Sequence, residues 1–291
     1  MTILVTGSTG VIGSRVVANL AAKGAEVHAL ARSPEKAKFP GGVSPVKADL
    51  MDIEATRKAI AQASTLFLLN AVTPDELTQA LLTLSLAREA GVKGIVYLSV
   101  FHADLFTDVP HFTGKHTVER MIEDSDLSAT ILRPNYFMQN DVAMKDAIMG
   151  HGVYPQPIGS KGLSMVDARD IADIAASSLL KRENAPTPLP REMIEIVGPD
   201  VLTGEAAAKI WSEVLGRDIR YGGDDLDAFE KQAAAFAPGW MARDFRLMFA
   251  RQQQHGMVAR LAAVNRMAEL LGHAPRSYQD FAAETAKAWQ S

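Results

Sequence analysis

A histidine and a lysine that can both handle protons stand four residues apart in HFTGKHTVER, residues 111–120. On a helix, His111 and Lys115 would share one face. An imidazole titrates near neutral pH and exchanges protons, whereas an ammonium can hydrogen-bond a sugar hydroxyl or act as an acid. The pair is consistent with proton transfer, with ribose binding, or with the solvated side of a surface helix. The spacing alone leaves these alternatives open.

Three glycines near the N-terminus point to phosphate binding. Gly7, Gly10 and Gly13 stand three residues apart in TGSTGVIG, between a strand-like run and a helix-like run. The first permits a tight turn, the second lets the backbone approach a diphosphate, and the third lets helix and sheet pack closely. The helix N–H groups then face the anion. The residues predicted to contact a dinucleotide here are Gly7, Thr9, Gly10, Val11, Ile12 and Gly13.

The end of the second apolar run indicates which dinucleotide binds. An acidic residue there would bind the ribose hydroxyls of NAD, but the sequence has Arg32. A guanidinium pairs with a 2′-phosphate through two hydrogen bonds, which favours NADP(H), with NAD(H) as the alternative. Asp49 and Leu50 follow the third run and are predicted to flank the adenine. Asp49 could equally be a polar loop residue or the N-cap of the next helix.

Short apolar runs alternate with helix-like stretches through the first half of the chain. The runs lie at residues 3–7, 26–32, 44–50, 65–70, 94–100 and 128–134. Strands that are apolar at nearly every position, separated by helices, are typical of a parallel sheet covered on both faces. We therefore predict an α/β fold with a doubly wound, Rossmann-type sheet, whose ligand lies at the carboxyl ends of the strands.

The pattern changes after Pro134 and predicts a second region. Residues 1–150 are interpreted as the dinucleotide-binding core and residues 151–291 as a smaller, mostly helical substrate-side lobe. The lobe is expected to be interleaved with the core, because the run at 193–198 reads as a late strand of the sheet. Trp240, Met241, Phe245, Met248 and Phe249 lie at helical spacing in this region and form either core or the wall of an apolar pocket.

Composition excludes several classes of partner. Of the 291 residues, 47% are hydrophobic and 22% charged, and 30 Lys and Arg against 34 Asp and Glu give a net charge of −4 without any run of like charge. We therefore expect neither a nucleic acid nor a membrane as partner.

The absence of cysteine and of a leader sequence favours the cytoplasm. The scattered histidines predict no metal site. A monomer or homodimer is expected.

Motifs along nearly the whole chain resemble the NmrA-like branch of the short-chain dehydrogenase/reductase superfamily. They include TGSTGVIGSRVV, LARSPEKA, ADLMD, REAGVKGIVYLSV, LRPNYFMQN, VDARDIADIA and LLGHAPRSYQDFAAETA. The resemblance implies a Rossmann fold and NAD(P) binding. The branch includes type 2 NAD(P)H:quinone oxidoreductases, triphenylmethane reductase and the isoflavone and benzylic ether reductases. It also includes NADP-binding sensors and a transcriptional regulator that do not turn the dinucleotide over.

The superfamily's usual catalytic groups are absent. None of the five tyrosines is followed four residues later by lysine, and the serine position after the fifth strand falls on Val100. Ser99 stands one residue earlier and is expected to point to the other face. His111 and Lys115 occupy the place of the tyrosine and lysine. The resemblance to benzylic ether and isoflavone reductases implies that Lys115 is either an acid/base or a ribose clamp, and His111 is a candidate proton donor.

Two loops are predicted to surround the nicotinamide. Relatives bring the loops after the fourth and sixth strands close to the cofactor, which implies contacts from Asn70, Pro134 and Asn135. Lys115, at the position of the relatives' helix lysine, is predicted to contact the nicotinamide ribose. The residues predicted to contact substrate are Thr73, His102, Tyr136 and Phe137. The predicted function is an NADPH-dependent reductase of a quinone-like or other conjugated aromatic acceptor. The alternative is a non-catalytic NADP(H)-binding sensor that acts through a protein partner.

Overall fold

The computed structural model describes residues 2–290. In chain order its strands are β1 (Thr2–Val5), β2 (Glu26–Ala31), β3 (Val43–Lys47), β4 (Thr65–Leu68), β5 (Gly94–Leu98), β6 (Ala129–Pro134), β7 (Val153–Tyr154), β8 (Glu192–Ile196) and β9 (Arg220–Tyr221). Within these described residues, a seven-stranded sheet has the order β3-β2-β1-β4-β5-β6-β8. The neighbouring pairs from β3 to β6 are parallel. The Rossmann-type fold predicted from the sequence is confirmed.

Helices connect these strands and make up most of the later part of the chain. They are α1 (Val11–Ala22), α2 (Ile53–Ile60), α3 (Glu76–Glu89), α4 (Pro110–Asp124), α5 (Ala168–Glu183), α6 (Gly204–Leu215), α7 (Leu226–Ala233), α8 (Gly239–His255), α9 (Leu261–Leu271) and α10 (Tyr278–Gln290). Short helical turns lie at Pro34–Lys36, Met138–Met144 and Asp146–Gly150. Among residues 2–290, no helix is both long and apolar enough to span a membrane.

The pattern of apolar residues explains the positions of the strands. Every residue of β1, β4, β5 and β6 is buried, as expected for central strands that helices cover on both faces. Strand β3 is at the sheet edge, where most of its residues are partly or fully exposed and Pro45 is tolerated despite its missing N–H. A core cluster that includes Leu4, Leu66 and Ile131 packs on this sheet.

The chain folds into two compact units that alternate along the sequence. Unit 1 contains the described residues up to Ala103, Thr113–Arg133 and Ile171–Ile194. Unit 2 contains Asp104–Phe112, Pro134–Asp170 and the described residues from Glu195 onwards. The predicted ranges, 1–150 and 151–291, are continuous, whereas each compact unit is assembled from three stretches of the chain. Residues 104–112 and 134–150 lie in unit 2, and 171–194 return to unit 1 because α5 and β8 contribute to it.

The aromatic and polar core of unit 2 was not predicted. Trp211 is fully buried, stacks on Trp289 with ring centroids 4.9 Å apart, and donates its indole N–H to the hydroxyl of Tyr278 at 2.9 Å. Strands β7 and β9 pair with each other in a small parallel sheet. Each of these strands is two residues long, which is too short to produce an alternating pattern.

Candidate functional site

The glycine turn of unit 1 has the geometry that a bound diphosphate requires. Gly7 has a φ of +60°, and the N–H of Gly10 donates to its carbonyl at 3.0 Å, which closes the turn before α1. Gly10 is the N-cap of α1 and offers no capping side chain, and the first turn of the helix has no acidic residue. The helix N-terminus therefore presents its N–H groups and partial positive charge without a protein anion in place.

The glycines are required by close packing as well as by the turn. A Cβ atom on Gly13 would lie 2.1 Å from the carbonyl oxygen of Gly7, and one on Gly7 would lie 2.9 Å from the side chain of Leu69. Two hydroxyls fix the turn to the sheet. Ser8 donates to the Leu30 carbonyl at 2.8 Å, and Thr6 donates to the Leu69 carbonyl at 2.9 Å. The turn is thus a rigid cradle that fits a dinucleotide diphosphate.

A basic cavity lies beside this turn in unit 1. Its volume is about 460 Å³, and its lining residues are Thr9, Ala31, Arg32, Ser33, Lys36 and Ala37. Arg32 and Lys36 are exposed, and within the described residues neither forms an ion pair shorter than 4.0 Å with a carboxylate. Arg32 contributes only a small part of the lowering of the pKa of Asp75, which is due mainly to a hydrogen bond with Gln79. The cavity is suited to a phosphate group.

Three further residues predicted to contact the cofactor, Asp49, Leu50 and Asn70, lie in different environments within unit 1. Leu50 is buried in the core cluster, and Asp49 is exposed and accepts a hydrogen bond from the N–H of Met51 at 2.9 Å. The N-cap of α2 is Asp52, so the alternative that Asp49 caps this helix is wrong. Asn70 is buried, and its Oδ1 atom has no hydrogen-bond partner within residues 2–290. An acceptor atom of this kind fits a ligand that donates a hydrogen bond.

Lys115 is held in a buried ion pair of unit 1. It lies on α4, is 9% exposed, and donates from Nζ to the Oε1 atom of Glu76 on α3, which is equally buried. The reading of Lys115 as a simple surface lysine is therefore wrong. An ammonium has three donors, so the pair with Glu76 fixes its position while leaving donors for a ribose hydroxyl.

Ser99 points away from the place where the superfamily keeps its catalytic serine. Its hydroxyl donates to Oε1 of Glu119 at 2.5 Å in the interior of unit 1, as the alternation of strand side chains predicts. Arg133 holds the same carboxylate with two hydrogen bonds of 2.9 and 2.6 Å. Glu119 is 1% exposed, so this network is structural and leaves Ser99 without a free hydroxyl.

His111 belongs to unit 2, where it forms a second buried pair. It is the second residue of α4, and its Nδ1 atom lies 2.7 Å from Oδ2 of Asp244 on α8. The exposed fractions of the two side chains are 10% and 2%. His111 and Lys115 both lie on α4, as the four-residue spacing suggested, because this helix begins at Pro110. The ring contacts the edges of Phe112 and Phe245, with centroids 4.7 and 6.1 Å away.

The loop after β6 is tightly fixed within unit 2. Asn135 is buried and both atoms of its side-chain amide have a protein partner: Nδ2 donates to the Met257 carbonyl at 2.7 Å, and Oδ1 accepts from the N–H of Tyr136 at 2.8 Å. Pro134 is buried. The Tyr136 ring lies 6.1 Å from Phe249 on α8, and Phe137 is half-buried. In the predicted aromatic stripe, Met248 and Phe249 are core, whereas Trp240 is 39% exposed.

The two remaining candidates for substrate contact are in unit 1. Thr73 is half-buried, accepts a backbone hydrogen bond from Glu76 at 3.1 Å, and helps to lower the pKa of Asp75 through a side-chain hydrogen bond. His102 follows β5 with a φ of +61°, and its ring stacks on Phe101 with centroids 4.0 Å apart. Both residues therefore have local structural roles, and contact with a substrate stays a prediction.

The model of the NmrA-like family matches residues 1–271. The chain belongs to the NmrA-like family. The (4-alkanoyl-5-oxo-2,5-dihydrofuran-3-yl)methyl phosphate reductase of Streptomyces griseus is 31% identical over 99% of both chains. An NAD(P)H azoreductase of Xenophilus azovorans is 31% identical over 75% of this chain and 76% of its own. These relatives match the resemblance inferred from the motifs.

Solved structures confirm the fold of this NmrA-like chain. An NADPH-dependent quinone oxidoreductase of Escherichia coli, solved in complex with NADPH, superposes with a TM-score of 0.85. It is 22% identical and covers 97% of this chain and 99% of its own. At this identity the likeness establishes the architecture, and the roles of individual residues must be argued from the geometry described above.

Several residues that contact the candidate site or are buried and charged were not predicted from the sequence of this NmrA-like chain. Lys36 had a signal, because it stands four residues after Arg32 in RSPEK and shares the cavity with it. Glu76 and Asp244 had none, since they are 39 and 133 residues away from Lys115 and His111. Asp141 was missed too: it is fully buried in unit 2 and accepts hydrogen bonds from the hydroxyls of Tyr154 and Tyr278 at 3.2 and 2.5 Å.

Proposed function

We propose that this protein is an NADPH-dependent reductase that transfers a hydride to a quinone-like or other conjugated aromatic acceptor. The observation that carries the cofactor assignment is the cavity beside the glycine turn, where Arg32 and Lys36 offer two cations that form no ion pair within 4.0 Å among residues 2–290. A 2′-phosphate supplies the missing negative charge. Relatives whose names include an NAD(P)H azoreductase and an NADPH-dependent quinone oxidoreductase support the same assignment.

Residues of unit 1 would hold the dinucleotide. The turn from Gly7 to Gly13 receives the diphosphate, the Arg32 cavity receives the 2′-phosphate, and Asn70 offers its unpaired Oδ1 atom to a donor of the cofactor. When bound, the reduced nicotinamide supplies the hydride. Lys115 acts as a ribose clamp rather than as an acid/base, because the ion pair with Glu76 fixes the position of its ammonium group.

The proposed acceptor is aromatic because several partly exposed side chains of unit 2 are aromatic or apolar. Tyr136, Phe137 and the partly exposed residues Trp240, Met241 and Phe245 provide flat apolar surface. A conjugated acceptor is electrophilic, so positioning it supplies much of the rate enhancement and a full acid/base set is not needed. His111 then provides the proton that the reduced acceptor takes up.

A sensor that binds NADP(H) without turnover is the second candidate. It is favoured by the absence of a tyrosine–lysine pair and by Ser99, whose hydroxyl is committed to Glu119. In that case Lys115 and His111 would stabilise the fold and nothing else. The sensor and the reductase make the same prediction for binding of NADPH and opposite predictions for turnover.

Two measurements on the wild-type protein separate these functions. We expect NADPH to bind more tightly than NADH, and NADPH oxidation to accelerate with at least one member of a panel of benzoquinones, naphthoquinones, enones and azo dyes. Tight NADPH binding without turnover of any acceptor would establish the sensor. Equal affinity for NADPH and NADH, or an Arg32→Asp variant that still prefers NADPH, would contradict the cofactor assignment.

A further inference from the structure

The contact between His111 and Asp244 determines which nitrogen of the imidazole can exchange a proton. Asp244 is nearly fully buried, and an ionised carboxylate can only accept hydrogen bonds. With Asp244 ionised, the Nδ1 atom, which lies 2.7 Å from Oδ2, carries a proton and donates it to Asp244. The neutral ring is consequently the tautomer with Nδ1–H and a lone pair on Nε2.

The Nε2 atom is available to the solvent side. Within residues 2–290 it has no hydrogen-bond partner, and it is not among the buried polar atoms that lack one. The ring is held in plane by edge contacts with Phe112 and Phe245 at interplanar angles of 82° and 83°. His111 is thus oriented by three neighbours of unit 2, with Nδ1 facing inwards and Nε2 free to donate or accept.

Among residues 2–290, His111 is the one basic side chain that pairs with the buried Asp244. Its Oδ1 atom is buried without a hydrogen-bond partner in the described part of the chain. The cations of α8 pair with other acids: Arg243 with Glu230, Arg246 with Asp227 and Glu230, and Arg251 with Asp108. Burial of a carboxylate without a counter-charge destabilises the folded state, because the charge loses its hydration. Its contact with His111 is the interaction that can offset this cost.

We infer that Asp244 is a positioning residue, which holds His111 in the tautomer that delivers a proton from Nε2 to the reduced acceptor. The inference rests on the proposed reductase function. Once a quinone has taken up a hydride, it carries an anionic oxygen. That oxygen takes the Nε2 proton of the imidazolium, so that an N–H bond breaks, an O–H bond forms and His111 becomes neutral. A proton from water then restores the imidazolium.

Nuclear magnetic resonance tests the tautomer without any assay of activity. The protein is labelled with ¹⁵N-histidine, and the His111 ring signals are assigned with His111→Gln. At a pH where the ring is neutral, we expect protonated Nδ1 and unprotonated Nε2 in the wild-type protein. Asp244→Asn should shift the ring towards the other tautomer, because an amide can donate to Nδ1. A wild-type ring that carries its proton on Nε2 would overturn the inference, whatever the acceptor turns out to be.

Kinetics test the role of the pair in proton delivery. With a quinone acceptor, Asp244→Asn should lower kcat by about 10- to 100-fold, leave KM for NADPH unchanged and alter the pH profile of kcat. In the His111→Gln background the same change should have no further effect on kcat. Equal losses in both backgrounds would assign Asp244 a purely structural role. Asp244→Glu should recover part of the activity, since it restores a carboxylate.

A matched control comes from the other ion pair between the same two segments. Asp108 and Arg251 connect residues 104–112 to α8 at 2.7 Å, but the pair is partly exposed and does not touch His111. Asp108→Asn should keep the wild-type tautomer and kcat. If Asp108→Asn lowers kcat as much as Asp244→Asn does, Asp244 does not act by orienting His111. If the wild-type protein reduces no acceptor, the proposed function fails, and the tautomer measurement still decides the role of Asp244.

Discussion

Two groups of cations in this protein differ in what faces them. Arg32 and Lys36 line an exposed cavity and have no carboxylate within 4.0 Å among the described residues. Lys115 and His111 are largely buried, and each has a carboxylate of its own, Glu76 and Asp244. The first group has charge left over for a ligand, whereas the second has its charge balanced by the fold.

The presence or absence of a neighbouring carboxylate distinguishes residues that can bind an anionic ligand from residues whose side chains are held in one position. An exposed cation without a partner is hydrated, and an anionic ligand can replace that water at modest cost. A buried cation is stable only with its counter-charge, and the pair fixes the side chain in one place. Asp141 adds a third case, a buried carboxylate whose partners are tyrosine hydroxyls and not a cation. The following predictions test whether this division holds.

The largest effect is expected for Lys115→Ala. Glu76 would keep a buried charge without a counter-charge, so the free energy of unfolding should fall by about 3–5 kcal/mol in urea or guanidinium titrations. The double variant Lys115→Met with Glu76→Gln should recover most of this loss. Lys209→Ala, which removes an exposed pair with Glu213, is the matched control and should change stability far less. Similar losses for the two alanine variants would contradict the comparison.

The second prediction concerns the pH dependence of stability at Asp141. Burial raises the pKa of this carboxyl from 3.8 to about 7, against the opposing effect of hydrogen bonds from Tyr278 and Tyr154. The folded state thus binds the proton more tightly than the unfolded state. The contribution of Asp141 to stability is fully present below about pH 4 and is lost as the pH rises through about 7.

Asp141→Asn should remove that dependence. Relative to the wild-type protein, its free energy of unfolding should increase between acidic and mildly alkaline pH by roughly 2–4 kcal/mol, as measured by denaturant unfolding at each pH. Asp146→Asn, at an exposed acid of the same segment, is the control. A constant difference between Asp141→Asn and wild type across this range would show that the carboxyl does not titrate there.

The fold could be predicted because its signals are local. Apolar runs and glycine turns placed β1, β2, β4, β5 and β6 within two residues of their observed ends, since a covered parallel sheet demands apolar residues at nearly every position. Arg32 could be predicted for the same reason, because the end of β2 follows directly from the strand.

The partners of the candidate catalytic residues could not be predicted. Which acid meets Lys115 or His111 depends on how α3 and α8 pack, and no local pattern marks Glu76 or Asp244 among 34 acidic residues. The hydrogen bond from Asn135 to the Met257 carbonyl could not be predicted either, because the two residues are 122 positions apart, and a contact of Asn135 with the cofactor stays a prediction. The division into units was missed because the chain crosses between them inside helices and strands.

The third prediction concerns ligand affinity. Arg32→Ala should raise the Kd for NADPH by about 10- to 100-fold and change the Kd for NADH little, because one charge-assisted hydrogen bond contributes about 1.5–3 kcal/mol. Lys36→Ala should act in the same direction, and added salt should weaken both contacts. Lys38→Ala removes an exposed cation that does not line the cavity and should leave both affinities unchanged. Fluorescence titration or calorimetry measures these constants.

The smallest effect on the free energy of unfolding is expected for Ser8→Ala, which removes a hydrogen bond that anchors the glycine turn. Ser8 carries no charge, and its buried hydroxyl holds the turn against the Leu30 carbonyl. Ser8→Ala should therefore cost about 1 kcal/mol of unfolding free energy, the typical net contribution of one hydrogen bond. The selectivity for NADPH over NADH should not change, because the Arg32 cavity stays intact. Ser44→Ala on the exposed edge strand β3 should be neutral. If Ser8→Ala abolished the selectivity while Arg32→Ala preserved it, shape rather than unbalanced charge would determine the choice of cofactor.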